Sequence, residues 1–417
     1  MAKRLSYSAG ELLRQGLRKE PNWPKLWRDQ EPRRSYDVVV VGAGGHGLAA
    51  AYYLAKLHGA DRVAVLEKGW LGGGATARNT TVVRSNYFYP ESAKFYDFSL
   101  SLWKGLSKEL NYNVMFSPRG MWMLSHDRHG DEMLRRSVNA MLLNNVQAEY
   151  HKGDAVRSRI PHLNPAPRFP IWSGVLQPDA GTARHDAVAW GYARAADALG
   201  VDIIQGCEVT GFDVSGSSVT GVRTNKGPIA SEKVVLSVAG HTPELARLAG
   251  IEIPAITYCL QAFVTEPVKP FLDTVVLSPA TGVYLSQSDK GEMVIGGGLD
   301  LFPSYAQRGS PEAHMRAAAG VIELFPSLSR LRFLRQWAGV LDVVHDSSPI
   351  LGLTDVKGFY LNCGWGTGGF KATPAGGFCL AATITEDRPH PLIKPFGLER
   401  FTTGAMIDEA AASGIAH

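Results

Sequence analysis

Residues 37–67 constrain this chain more than any other stretch. DVVVV (37–41) is an unbroken β-branched run, the pattern of a parallel strand buried on both faces. GAGGHG (42–47) follows, then LAAAYYLAKLHG (48–59), a helix pattern closed by Gly59. RVAVLEK (62–68) is a second strand with Glu67 near its end. Gly42, Gly44 and Gly47 stand at the three glycine positions of GxGxxG, with Gly45 inside the same loop. In a βαβ unit those glycines permit a tight turn, close approach to a pyrophosphate, and helix-on-strand packing. The helix start offers unpaired N–H groups to phosphate oxygens. Glu67 lies 25 residues after Gly42, where a carboxylate accepts from ribose hydroxyls. A bare glycine turn would leave the strand, helix and terminal acid in register unexplained, so the unit predicts dinucleotide binding.

The rest of the chain is long enough for more than one domain. It has 417 residues, of which 45% are hydrophobic and 20% charged, so a large core is expected and wholesale disorder is excluded. The net charge is only +4 (43 − 39), with no basic block, which argues against nucleic acid as a partner. Cys207, Cys259, Cys363 and Cys379 are scattered without a CxxC pair or Cys/His cluster, so no metal site or disulfide framework is expected. That cysteine usage, the lack of an apolar leader and the lack of a long apolar run predict a cytoplasmic protein without a membrane span. Helices are expected at 92–111, 131–146, 185–200 and 311–325, and strands at 120–126 and through 201–240 and 251–300. A strand and glycine loop near 358–369 lead into a last helix.

Residues 1–34, rich in Arg, Lys, Pro and Trp (Trp23, Trp27), read as an arm that docks on the body or on a partner. His46 is an unusual side chain for a glycine loop, and either touches the ligand or turns to solvent. His345 and Asp346 either line the site or stabilise a turn.

A glycine fingerprint alone does not separate FAD from NAD. The order of elements does: a βαβ unit first, a glycine-punctuated meander at 209–240, and a glycine loop before the last helix resemble flavoprotein oxidoreductases. GAGGHG with Glu67, ARNTTVVR (77–84) and GTGGFKATPAGG (366–377) resemble the D-amino-acid-oxidase-like family and, within it, the sarcosine oxidases. VLEKGWLGGG (65–74), RNTTVVRSNY (78–87), ARHDAVAW (183–190), CGWGTGGFK (363–371) and IDEAAASGIAH (407–417) narrow the resemblance to the beta-subunit family of the heterotetrameric enzymes.

The resemblance implies an α/β (α+β) fold: a Rossmann-like FAD-binding domain from discontinuous segments (35–90, 175–250 and 340–395) and an antiparallel-sheet substrate domain (91–174 and 251–339). The arm (1–34) and a tail (396–417) complete the chain. It implies noncovalent FAD held by Gly42, Gly44, Gly45, His46, Gly47, Glu67, Arg78, Asn79, Thr80, Thr81, Val209, Gly366, Gly369 and Lys371. WAGVLDVVHD (337–346) lacks the cysteine to which monomeric sarcosine oxidases attach FAD. Arg84 and Lys371 take the positions of the family's carboxylate-binding cations, and a guanidinium fork with a point charge suits that task. His185 matches the histidine that carries covalent FMN, with Arg184 beside it for the phosphate. The implied partners are alpha, gamma and delta subunits, with NAD and folate on alpha. Sarcosine and O2 are the implied substrates, and glycine, H2O2 and formaldehyde or 5,10-methylenetetrahydrofolate the products. Two other readings fit less of the sequence. One is a stand-alone FAD oxidase or dehydrogenase for dimethylglycine, proline or an opine. The other is a noncatalytic subunit holding FAD as a plug.

Overall fold

The computed structural model describes residues 9–19 and 25–409. Trp23 and the last eight residues of the tail motif lie outside them. A six-stranded sheet runs, in spatial order, Ile350–Leu353, Phe359–Cys363, Val234–Leu236, Val38–Val41, Val63–Glu67 and Asp202–Gln205. All neighbours are parallel except the first pair. The valine run works as its composition demands. Val38 and Val40 pack among the helices on one face, and Val39 and Val41 pack under the meander on the other. The chain leaves Val38–Val41 towards Val63–Glu67 on one side and meets Val234–Leu236 on the other. The carboxyl end of Val38–Val41 is therefore the switch point at which open α/β sheets bind ligands.

Gly45–His58, Pro90–Glu109, His185–Ala198 and Gly369–Glu386 pack together on the first face. The three-stranded meander Val209–Ser215, Ser218–Thr224 and Gly227–Ala230 covers the second. Helix starts differ from expectation by a few residues. The helix expected at 131–146 spans Arg128–Leu143, because the Asp127 carboxylate accepts from Gly130 N at 2.7 Å and caps it there.

An eight-stranded sheet runs Phe333–Val344, Ala255–Pro267, Glu292–Leu299, Val283–Gln287, Val275–Ser278, Met121–Ser125, Ser173–Gln177 and Glu149–Lys152. It is antiparallel except where Val275–Ser278 pairs with Met121–Ser125. Those two strands are joined by an excursion through the first sheet, not by a hairpin, so nothing enforces the antiparallel sense. The helix Pro311–Leu324 packs on one face of this sheet.

The described part of the arm docks on the body. Arg28 Nε donates to Asp197 Oδ1 at 2.8 Å, and Arg33 Nε pairs with buried Asp202 at 2.8 Å. Trp27 packs against the helical core. Asp346 resolves to the structural alternative. Its carboxylate takes Arg400 Nε at 2.7 Å and Nη2 at 2.9 Å, both side chains buried, and anchors the tail, while His345 is exposed. Among the described residues no helix is long and apolar enough to cross a membrane.

Candidate active site

The glycine loop leaves the strand at Gly42, whose φ of +103° admits few side chains and whose Cβ would stand 2.3 Å from Ser237 O. The helix Gly45–His58 has no side-chain cap at its N-terminus. Its first N–H groups therefore face the space where an anion would sit, apart from Gly45 N, which donates to Thr76 Oγ1 at 3.0 Å. The Glu67 carboxylate accepts from Ala43 N at 3.0 Å and Gly69 N at 2.9 Å. Each oxygen keeps lone pairs for a diol. A cradle free of side chains, an uncapped helix start and a carboxylate at the strand end fit an adenine dinucleotide.

A cavity of about 1230 Å³ opens from this point. That exceeds the roughly 300–1,000 Å³ of ordinary small-molecule pockets, leaving room for a dinucleotide and a small substrate together. Val209, Glu67, Gly42, Gly44, Gly45 and His46 line it, and so do Arg84, Gly366, Gly369 and Lys371. Arg78, Asn79, Thr80 and Thr81 form a continuous stretch of its wall. Gly47 does not reach the cavity. It packs under the loop, where a Cβ would come within 2.0 Å of Gly42 O. Gly47→Ala should therefore purify with its flavin-to-protein absorbance ratio cut by more than half, because overpacking of this kind costs about 1–3 kcal/mol and displaces the loop. A variant with full flavin would show that the loop relaxes freely.

The wall knits itself. Arg78 donates to Gly73 O and, at 2.9 Å, to Gly74 O. The Asn79 side chain accepts from Thr81 N at 2.6 Å and holds Thr81 at φ +65°. Thr80 Oγ1 meets the Tyr284 hydroxyl at 2.8 Å.

Arg84 and Lys371 share this one cavity. Lys371 rides the first turn of Gly369–Glu386, only 5% exposed, and its Nζ donates to Thr367 O at 2.8 Å. Burial, and then the charge of Arg84, hold its pKa well below that of a free lysine. Arg84 donates to Asn86 Oδ1 at 2.6 Å and lies 5.1 Å from the Tyr87 ring centroid. Among the described residues neither cation has a carboxylate in ion-pair contact. A guanidinium and an amine that line one cavity, neither in ion-pair contact with a carboxylate among the described residues, can together hold a small carboxylate.

His46 turns inward. Nε2 lies 2.8 Å from Gly369 O, the ring stacks on Trp365 with centroids 4.5 Å apart, and burial pulls its pKa down to about 4. The neutral ring ties the start of the Lys371 helix to the glycine loop.

Three lining or supporting residues escaped the sequence reading. Tyr284 lines the cavity beside Thr80, which holds its hydroxyl. Asp342, 2% exposed, accepts from Gly364 N at 2.5 Å, and burial pushes its pKa up to about 6. Gln177 accepts from Ser85 N at 3.2 Å and donates to Ser85 Oγ at 2.7 Å, fixing the residue next to Arg84. A lone acid inside the apolar strand VLDVV was the one visible signal.

His185 and Arg184 lie outside this cavity, behind its wall. Ala183 N donates to Thr81 O at 3.1 Å, so the segment before His185 backs directly on residues whose other side faces the cavity. His185 opens its helix and is half-buried; burial lowers its pKa, against the Asp186 charge and with that of Arg184. Arg184 is engaged by Asp186 at 2.9 Å and 3.2 Å. It would reach a phosphate only by giving up that pair.

A family model described as FAD dependent oxidoreductase matches residues 37–383. A sarcosine oxidase subunit beta of Rhodobacter capsulatus is 50% identical over 412 residues, covering 99% of this chain and 99% of the relative. Another of that name, from an Arthrobacter species, is 50% identical over 402 residues, covering 95% and 99%. Among solved structures, L-proline dehydrogenase from P. horikoshii superposes with a TM-score of 0.83 at 27% identity, covering 89% of this chain and 99% of that one.

Proposed function

The chain belongs to the FAD dependent oxidoreductase family and, within it, to the sarcosine oxidase beta subunits, and we propose that it carries the site at which sarcosine is oxidised. The observation that carries this reading is the Arg84 and Lys371 pair lining one cavity. Sarcosine is a carboxylate with an N-methyl amine two bonds away. The guanidinium and the ammonium grip the carboxylate, which fixes where the N-methyl carbon lies. Their positive field also favours the neutral amine, the form that can give up hydride. His46 and Asp342 hold the loop from which Lys371 projects, and the apolar wall from Leu260, Leu299 and Leu341 keeps bulk water away.

FAD, held along the glycine loop, Glu67 and residues 78–81, would supply the two-electron acceptor for the N-methyl C–H, and FMN, held by His185, would supply a second redox group from which O2 could be reduced to H2O2. Water converts the imine product to glycine and formaldehyde, or the one-carbon unit passes to tetrahydrofolate. The folate site, and NAD, belong on an alpha subunit, with gamma and delta completing the assembly. The cofactor-binding segments are 35–90, 175–250 and 340–395, and 91–174 with 251–339 supply the substrate side. Mixing the purified assembly with sarcosine under anaerobic conditions should bleach its visible flavin absorbance within seconds. Bleaching by proline or dimethylglycine but not sarcosine would replace this reading with a stand-alone amine dehydrogenase. No bleaching by any of them would leave a binding subunit.

A further inference from the structure

Glu409 is a carboxylate with an unexpected place. It belongs to the tail, yet its side chain is only 4% exposed. Its two oxygens accept from Tyr89 N at 2.9 Å and Phe88 N at 3.2 Å, at the start of the helix Pro90–Glu109. Among the described residues it makes no ion pair. It lines a cavity of about 170 Å³ whose other walls include Arg84, Tyr87, Tyr96 and Gly368. The tail is driven into that position by the buried Arg400–Asp346 pair and by Ser348 Oγ, which donates to Ile407 O at 2.7 Å.

The two amides that Glu409 holds end the short turn that begins at Arg84. Within that turn Asn86 Oδ1 accepts from Arg84 at 2.6 Å. The Tyr87 ring lies beneath the guanidinium and stacks on Tyr96 at 3.7 Å, nearly parallel at 8°. The Tyr96 hydroxyl in turn donates to Gly368 O at 3.4 Å, one residue from the start of the Lys371 helix. Gln177 grips the near end of the turn through Ser85. Without a group at the far end, the turn would be held by Gln177 and the Tyr87–Tyr96 stack, and two amides at the helix start would lose their acceptors.

We propose that Glu409 is a positioning residue for the substrate-binding arginine: the tail plugs its carboxylate into the start of the helix Pro90–Glu109 and so sets the distance between Arg84 and Lys371. The proposal rests on the reading that Arg84 grips the substrate carboxylate. It places the determinant of substrate affinity some 320 residues along the chain from the arginine's own turn.

The test uses the FAD-loaded assembly with Glu409→Ala, Glu409→Gln and, as a reference, Arg84→Ala. Thermal stability and bound FAD are measured on each. The functional readouts are KM and kcat for sarcosine, and the dissociation constant of acetate followed by perturbation of the flavin spectrum. Arg84→Ala should weaken acetate and raise KM by about a hundredfold, the loss of a charged two-point contact. Glu409→Ala should raise both constants by about tenfold with FAD retained and kcat within about threefold, a binding defect rather than a chemical one. Glu409→Gln, which keeps an acceptor for one amide, should fall between. If Glu409→Ala and Glu409→Gln lower the melting temperature but leave both constants within twofold, the carboxylate is a helix cap and the proposal fails. If Arg84→Ala leaves both constants unchanged, the substrate reading itself fails, and the proposal with it.

Discussion

Lys371→Met lowers kcat/KM for sarcosine by about a hundredfold or more while FAD stays bound. A hydrogen bond to a charged group is worth about 1.5–3 kcal/mol, and a poorly oriented methyl group adds to that loss. The same substitution has the opposite effect on stability. Burial, with the Arg84 charge, holds the folded-state pKa of Lys371 well below the ordinary value of 10.5. The unfolded chain therefore binds a proton more readily than the folded one, and folding is penalised while the lysine would otherwise be charged. The penalty is full below the depressed pKa and fades as pH rises to about 10.5. Methionine, similar in length and uncharged, escapes it. The variant should melt several degrees above wild type at neutral pH, with the margin narrowing towards pH 10. Enzyme assays with a calorimetric pH series would read both effects. Unchanged kcat/KM would remove Lys371 from substrate binding. A variant less stable at every pH would mean that the Thr367 hydrogen bond outweighs the cost of burial. A residue that costs stability and is nonetheless held by the fold in the wall of a cavity is what a functional site requires.

The features legible in the sequence were those whose causes lie close together along the chain. The strand, glycine loop, helix and Glu67 fall within about thirty residues, and each is dictated by a local rule: β-branched runs, glycine at positive φ, an acid at a strand end. Arg84 and Lys371 were legible only by resemblance, because nothing in ARNTTVVR or GFK reveals that two residues 287 positions apart line one cavity. The groups that hold them were not legible at all. Ser85 is fixed by Gln177, 92 residues on; Thr80 by Tyr284, 204 residues on; Tyr89 by Glu409, 320 residues on. Each is an ordinary polar residue in an ordinary segment, and its role exists only once two sheets and a tail have come together. His46 was half legible. Its presence in a glycine loop signalled a task, but the task needed Gly369 and Trp365 to be seen.

The proposed covalent FMN at His185 makes a direct prediction: the acid-precipitated protein should be yellow and its His185→Ala variant colourless, and an FMN mass on the peptide holding residue 185 should disappear with the substitution. The argument begins with the ring itself. Burial, opposed by the Asp186 charge and aided by that of Arg184, lowers its pKa and so favours the neutral ring, the state in which an imidazole nitrogen has a lone pair to bond to the flavin 8α carbon. Among the described residues no hydrogen bond occupies either nitrogen, so the lone pair is available. The ring opens a helix packed on the segment 75–78, and its backbone neighbour Ala183 is bonded to Thr81 of the cavity wall. A flavin fixed there would be close to the FAD cavity yet outside it. The two flavins are thereby separable by mutation. His185 lines none of the large cavity, so His185→Ala should keep FAD and should still be bleached by sarcosine without oxygen. Turnover with O2 should fall about a hundredfold, equivalent to ~2.7 kcal/mol of barrier, because electrons leave FAD only by a slower route. If the pellet stays yellow, another residue carries the flavin. If covalent flavin is lost but oxygen turnover is unchanged, FAD reacts with oxygen directly, and the chain needs neither FMN nor a partner surface to complete its cycle.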